Sequence, residues 1–218
     1  MNGAALLILG SASPRRASLL RQIGASFDIC VAHIDESLTG ISSPGVYVSE
    51  LSLKKAGAAA DLYIKDRLYG CDYDRIIIIG ADTAVVSGDG EILGKPENDA
   101  DAKRMLAGLS GKWHEVYTGV ALIDLRGGLQ TGGYCRRGAH VEYETTRVKM
   151  CEMSAEAINS YVGSGEPDGK AGAYAIQGVG SLFIERVEGC YYNVVGLPLR
   201  LLYTMLAVLG YDLLKTNA

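Results

Sequence analysis

The sequence lacks any apolar run near the roughly 18 residues that a membrane-crossing helix needs. Its start also places no basic stretch ahead of the short apolar run Leu6 to Leu9, so nothing there resembles a secretory leader. A cytoplasmic protein without a membrane partner is the expectation. Cysteine is too sparse and too irregular for a scaffold: Cys30, Cys71, Cys135, Cys151 and Cys190 are odd in number and contain no C-x-x-C spacing, which argues against disulfide frameworks and structural zinc. The three histidines, His33, His114 and His140, stand apart and form no zinc motif, so a bound metal should be held by oxygen. Charge of one sign is missing too. Twenty-one basic residues against 25 acidic ones give a net charge of -4, which speaks against a nucleic-acid partner. No internal repeat, low-complexity tract or long linker interrupts the chain.

What is present is a large potential core, 48% hydrophobic over 218 residues, enough for one sizeable domain or two lobes. Apolar strands alternate with helical patterns. Leu6 to Leu9 and Phe27 to Ala32 read as strands, and Ser13 to Gly24 as a helix stopped by glycine. A long helix is expected from about Val46 to Lys65, with a chain break over Gly70 to Asp74. Arg75 to Ile79 reads as a strand buried on both faces, ending at Gly80-Ala81-Asp82-Thr83. Further helices are expected near Asn98 to Leu109, Ser154 to Tyr161 and Pro198 to Leu209, with strands near Glu115 to Leu125 and Ala139 to Val148. This order predicts an α/β fold.

Three places carry chemistry. In Ser11-Ala12-Ser13-Pro14-Arg15-Arg16 a strand runs into a helix start, where Ser13 suits the cap, Pro14 the first turn, and two arginines add charge to N–H groups that attract anions. Asp82 follows a fully apolar strand, which would fix a carboxylate rigidly and partly remove it from water. Lys95, between Gly94 and Pro96, sits in a constrained loop, and the glycine-rich segment Glu166 to Gly178 is of a kind that lets backbone approach a ligand. Taken singly, a capping serine, a turn aspartate or a solvated lysine explains each. Together with Asp35, Glu36, Lys55 and Lys170, they form an inventory suited to a polyphosphate with magnesium.

These segments, joined by Leu53-Lys54-Lys55-Ala56, Leu109-Ser110-Gly111 with His114, Thr118-Gly119-Val120, Lys170-Ala171-Gly172-Ala173-Tyr174, Ile176-Gln177-Gly178 and Asn193 to Pro198, resemble the Maf-like nucleoside triphosphate pyrophosphatases in order over nearly the whole chain. The resemblance implies one Maf-like domain over 1–218, a mixed elongated sheet with flanking helices in two lobes around a cleft, similar to inosine triphosphate pyrophosphatases, and a homodimer. It implies a hydrolase that splits a nucleoside triphosphate into monophosphate and pyrophosphate. Asp82 would accept the proton of the attacking water and, with Glu36, hold magnesium, or manganese in its place. Ser13, Arg16, Lys55 and Lys95 would bind the triphosphate. Arg15, Thr83 and Gln177 would select the base, in the pattern of the branch that acts on dTTP and UTP; an amide such as Gln177 matches the donor and acceptor edge of thymine or uracil.

Three other readings stay open at this stage: a 7-methyl-GTP pyrophosphatase of the same family, a house-cleaning enzyme for modified pyrimidine nucleotides, and a non-catalytic nucleotide-binding regulator of cell division. Retention of Glu36, Asp82 and Lys95 speaks against the last. The chain departs from the family at Gly169, where an aspartate is usual and Asp168 lies one place earlier. The stretches Lys65 to Asp74 and Arg126 to Arg137 read as surface loops.

Overall fold

A computed structural model describes residues 5–36, 43–67, 73–128 and 133–214. The elements run β1 (Ala5–Leu9), α1 (Pro14–Gln22), β2 (Phe27–Ile29), α2 (Pro44–Arg67), β3 (Arg75–Val86), β4 (Ile92–Leu93), α3 (Asp99–Leu109), β5 (Trp113–Gly128), β6 (Gly133–Met150), α4 (Ala155–Gly163), β7 (Ile184–Glu188), α5 (Tyr191–Val195) and α6 (Leu199–Val208), with short 3-10 turns at Ala171–Ala173 and Gly178–Phe183. The strands form one seven-stranded sheet in the order β2-β1-β3-β5-β6-β7, with β4 added to β3. Parallel pairing joins β1 to β2 and β3, and antiparallel pairing joins β4 to β3 and β7 to β6. The sheet is therefore mixed and the class α/β, as the alternation of periods requires.

The chain divides into two compact units. The first contains Met1–Asp82, Gly119–Tyr143 and Leu199–Ala218. Its centre is β1 against β3: Leu7, Ile8, Leu9 and Ile76 to Ile79 are all fully buried, the composition of a strand covered on both faces. Burial of each such side chain contributes about 1.5–3 kcal/mol. Helix α2 covers one face of them, Ile8, Ile76 and Ile78, through Ala56, Ala59 and Ala60, which are fully buried. Its backbone comes unusually close to the sheet, because a Cβ on Gly80 would lie 2.3 Å from the Ser52 carbonyl oxygen and one on Gly119 would lie 2.2 Å from that of Val48. At the start of β3, the buried Arg75 makes a forked pair with Asp124, Nε to Oδ1 at 2.9 Å and Nη2 to Oδ2 at 3.1 Å, and also donates to the Leu209 carbonyl at 2.6 Å.

The second unit contains Thr83–Thr118 and Glu144–Pro198. Its core gathers Leu106 and Leu109 of α3, Val116 of β5, Val148 and Met150 of β6, and Tyr161 of α4. Two helices start where the sequence places caps. Asn98 Oδ1 accepts from the Asp101 N–H at 3.0 Å and Ser154 Oγ from the Ala157 N–H at 3.1 Å, each worth about 1 kcal/mol.

Four expectations need correction. Strand β3 does not end at the polar pair Asp82-Thr83 but continues to Val86, because Asp82 pairs with Lys55, Thr83 bonds to Thr118, and Ala84 to Val86 are buried again. Its parallel neighbour β1 does stop, at Leu9 opposite Ile79, so Asp82 lies just past the end of that pairing. Most of 126–137 is strand rather than loop; the start of β6 is exposed, so no inside–outside alternation marks it. Residues 65–67 complete α2, while 68–72 of the expected break lie outside the described residues. Strand β7 and helix α5 were not expected at all; both are only five residues long.

Candidate active site

The first unit brings four of the expected residues together. Lys55, on the sheet-facing side of α2, reaches Asp82 on β3, with Nζ 2.5 Å from Oδ1, and Glu36, with Nζ 2.9 Å from Oε1. The Lys55 and Asp82 side chains are only 14% and 10% exposed, so their attraction is weakly screened; Glu36, at 45%, opens to solvent. The close seating of α2 on Gly80 is what lets the ammonium reach Asp82, two residues along the strand.

Arg16 is the fourth member. Burial lowers its pKa, Asp82 opposes that shift, Arg15 adds to it and Glu36 opposes it, so the guanidinium lies in the field of both carboxylates. An arginine remains cationic under such conditions. Arg16, two residues into the helix start, is only 9% exposed. Ser11 Oγ helps hold it there, accepting from Arg16 Nη1 at 2.9 Å and from the Ser13 N–H at 3.3 Å. Ser13 occupies the N-cap position with Pro14 behind it, as expected, but its side chain makes no capping bond. Arg15, half-buried, shares this turn. Ser11 was legible only as part of a motif, and Tyr47 only as a helical residue. The Tyr47 phenol has its pKa raised by burial, then by the charges of Asp82 and Glu36, so it lies in the field of the same carboxylates.

Among the described residues no trio of His, Cys, Asp or Glu is arranged to hold a metal ion. The donors available here are the oxygens of Glu36 and Asp82, already converging on one cation, the Lys55 ammonium. Two carboxylates, with water and phosphate oxygens completing the shell, suit magnesium.

The second unit carries the other three expected residues. Thr83 Oγ1 lies 3.0 Å from Thr118 Oγ1, which donates at 3.0 Å to the carbonyl of the fully buried Asn193; Asn193 Nδ2 in turn donates to the Val116 carbonyl and Thr146 Oγ1, both at 2.9 Å. Lys95 is exposed in the loop after β4, where the Gly172 N–H ties down the Gly94 carbonyl at 3.0 Å. Gln177 is exposed ahead of the turn Gly178–Phe183. Two of the glycines of 166–178 face the protein itself. A Cβ on Gly172 would lie 2.9 Å from Val85, and one on Gly178 would lie 2.5 Å from Glu166 Oε2. Gly169 has φ +67°, a left-handed conformation that glycine adopts without steric cost. Asp168 itself is exposed, and its carbonyl receives the Lys170 ammonium at 3.4 Å. His114, which has no place among the charged residues, is buried with Nε2 2.7 Å from the Tyr174 hydroxyl; burial lowers its pKa to about 4.

In this α/β protein a half-buried lysine thus bridges two carboxylates within the first unit. The sequence pattern of the Maf-like protein family matches residues 6–209, and the chain belongs to that family. Its curated relatives include the dTTP/UTP pyrophosphatase of Caldicellulosiruptor bescii, 46% identical over 209 residues that cover 96% of this chain and 97% of the relative. Those of Acetivibrio thermocellus, at 44%, and Ruminiclostridium cellulolyticum, at 43%, each cover 96% of this chain and 98% of the relative. Among solved structures, the Ham1 protein of Staphylococcus aureus superposes with a TM-score of 0.38 at 10% identity, over 67% of this chain and 72% of that one. No helix among the described residues is long and apolar enough to cross a membrane.

Proposed function

We propose that this protein is a nucleoside triphosphate pyrophosphatase that hydrolyses dTTP and UTP to the monophosphate and pyrophosphate. The names of its relatives support the substrates. The observation that carries the chemistry is Lys55 held between Asp82 and Glu36, a base and a cation poised side by side. Asp82 takes the proton of the water that attacks between the α and β phosphates. Lys55, Arg16 and Lys95, with Ser13 at the helix start, neutralise the charge that pyrophosphate carries away, where charge stabilisation is worth most. Glu36 and Asp82 would hold magnesium, which when bound would supply Lewis acidity at the phosphate oxygens. Arg15, Thr83 and Gln177 select the base. A cytoplasmic homodimer belongs to the same reading, supported by the family resemblance.

The test is pyrophosphate release with magnesium from dTTP, UTP, CTP, 7-methyl-GTP and ITP. Release from dTTP and UTP that vanishes in Asp82→Asn is expected. Preference for 7-methyl-GTP would overturn the base assignment and keep the chemistry; binding without cleavage would overturn the chemistry.

A further inference from the structure

Glu166 stands apart from the charged residues discussed so far, because its carboxylate is already occupied by the protein. Oε2 accepts from the Val179 N–H at 2.9 Å, and Oε1 accepts from the Gly180 N–H at 2.8 Å and from the Tyr161 hydroxyl at 2.9 Å. Three donors on two oxygens leave little capacity for a ligand. Burial alone would raise the pKa of this acid, but the N–H groups of Gly180 and Val179, Tyr161 and Lys170 together hold it below the ordinary carboxylate range. It is thus an ionised acceptor of charge-assisted bonds, about twice as strong as neutral ones.

The placement of these bonds matters more than their number. Gln177 lies between two anchored stretches of one short segment. On its N-terminal side, Tyr174 is tied to His114, and the Ala175 N–H donates to the Tyr161 hydroxyl at 3.2 Å. On its C-terminal side, Val179 and Gly180 are tied to Glu166. Gly178, with φ +75° and its missing Cβ facing Glu166 Oε2, permits the sharp turn that lets the carboxylate reach both N–H groups. Tyr161 is shared by the two anchors, through its bonds to Ala175 and Glu166. A solvent-exposed amide on such a strap would otherwise sample many backbone states, and its recognition of a base edge would be lost in that freedom.

We propose that Glu166 is a positioning residue for base selection: by fixing the backbone on the far side of Gln177, its carboxylate presents the Gln177 amide to the nucleobase in one orientation. The proposal rests on the reading of Gln177 as a base contact. It separates two tasks, since the groups that act on phosphate in the first unit do not depend on this strap.

The experiment compares wild type, Gln177→Ala, Glu166→Gln and the double variant, measuring kcat and KM for UTP and CTP and binding of non-hydrolysable α,β-methylene UTP and CTP. In Glu166→Gln one oxygen acceptor becomes an NH2 group facing donors. We expect KM for UTP to rise about 10-fold and the UTP-to-CTP preference to fall about 10-fold, the scale of one misplaced hydrogen-bonded edge. Little change in kcat is expected, and no further loss when Gln177→Ala is added. Tyr161→Phe, which removes one donor to Glu166 and the acceptor of the Ala175 N–H, loosens both anchors, should shift the preference in the same direction, and serves if Glu166→Gln does not fold. Should Gln177→Ala shift the preference while Glu166→Gln and Tyr161→Phe leave it unchanged, or lower kcat equally for both nucleotides, the positioning role is wrong and the base contact stands. Should Gln177→Ala itself leave the preference unchanged in both turnover and binding, the base contact is wrong and the positioning role falls with it.

Discussion

Strand β3 carries two cation–carboxylate pairs, Arg75 with Asp124 at its start and Lys55 with Asp82 further along, and they differ in every respect that separates scaffolding from chemistry. Arg75 uses a planar fork, meets both oxygens of Asp124, and sends a third bond to a carbonyl, so its geometry is closed. Lys55 is a point charge that touches one oxygen of Asp82 and is shared with Glu36, which is half exposed. A forked pair resists substitution by anything else. A single ammonium between two carboxylates can be exchanged for another cation or drawn off by a phosphate, and both carboxylates then become available. Burial is similar in the two pairs; completeness of bonding distinguishes them.

The sharpest way to break this contrast is to remove each pair in turn. Arg75→Ala should cost about 3–4 kcal/mol of stability, because it leaves the buried Asp124 with only the Arg126 bond at 3.2 Å, while turnover per folded molecule stays the same. Urea unfolding alongside active-fraction kinetics would show this, and a large fall in specific turnover would mean that the pair is not purely structural. Asp82→Asn should do the reverse: turnover down about 100-fold or more, equivalent to about 2.7 kcal/mol of barrier, with the urea midpoint nearly unchanged. Near-normal turnover would remove Asp82 from the role of base.

A pH series would sharpen the comparison once the contribution of His114 is known. Its folded pKa of about 4 lies below the ordinary 6.5, so the unfolded chain binds the extra proton. Stability is therefore full above pH 6.5 and lost as pH falls toward 4, by about 2 kcal/mol at pH 5. His114→Gln should flatten this part of the profile; an unchanged acid slope would assign it elsewhere. The smallest effect is expected at the exposed Arg104, paired with Asp101 and Glu91: Arg104→Ala should leave melting within about 2 °C of wild type, and a larger drop would show that exposure is a poor guide here.

Much of the fold was legible because the strongest signals are local. Ile76 to Ile79 could only be a buried strand, and the caps at Asn98 and Ser154 fall where helices begin. Legibility failed where partners distant in sequence decide the outcome. Asp82 and Thr83 look like a strand end until Lys55 and Thr118 satisfy them. Likewise, the exposed start of β6 looks like a loop because its strand character comes from pairing and not from its own alternation. In the candidate site, residue types and order were readable, while helical period admits Lys54 or Lys55 on the inner face and only the family resemblance singles out Lys55. Ser11 as the partner of Arg16, Tyr47 in the field of the carboxylates, and Glu166 as an internal anchor depend on a spatial arrangement that no motif encodes.

The missing methyl groups at Gly80 and Gly119 give the site a property unlike that of its charged residues. Together they act as a gauge block, setting the gap between α2 and the sheet to the thickness of bare backbone. One added carbon at either place would push the helix outward and carry Lys55 with it. In a saturation mutagenesis map, two positions with no side chain at all would then score as intolerant as the acid itself, and selection for activity would act on empty space.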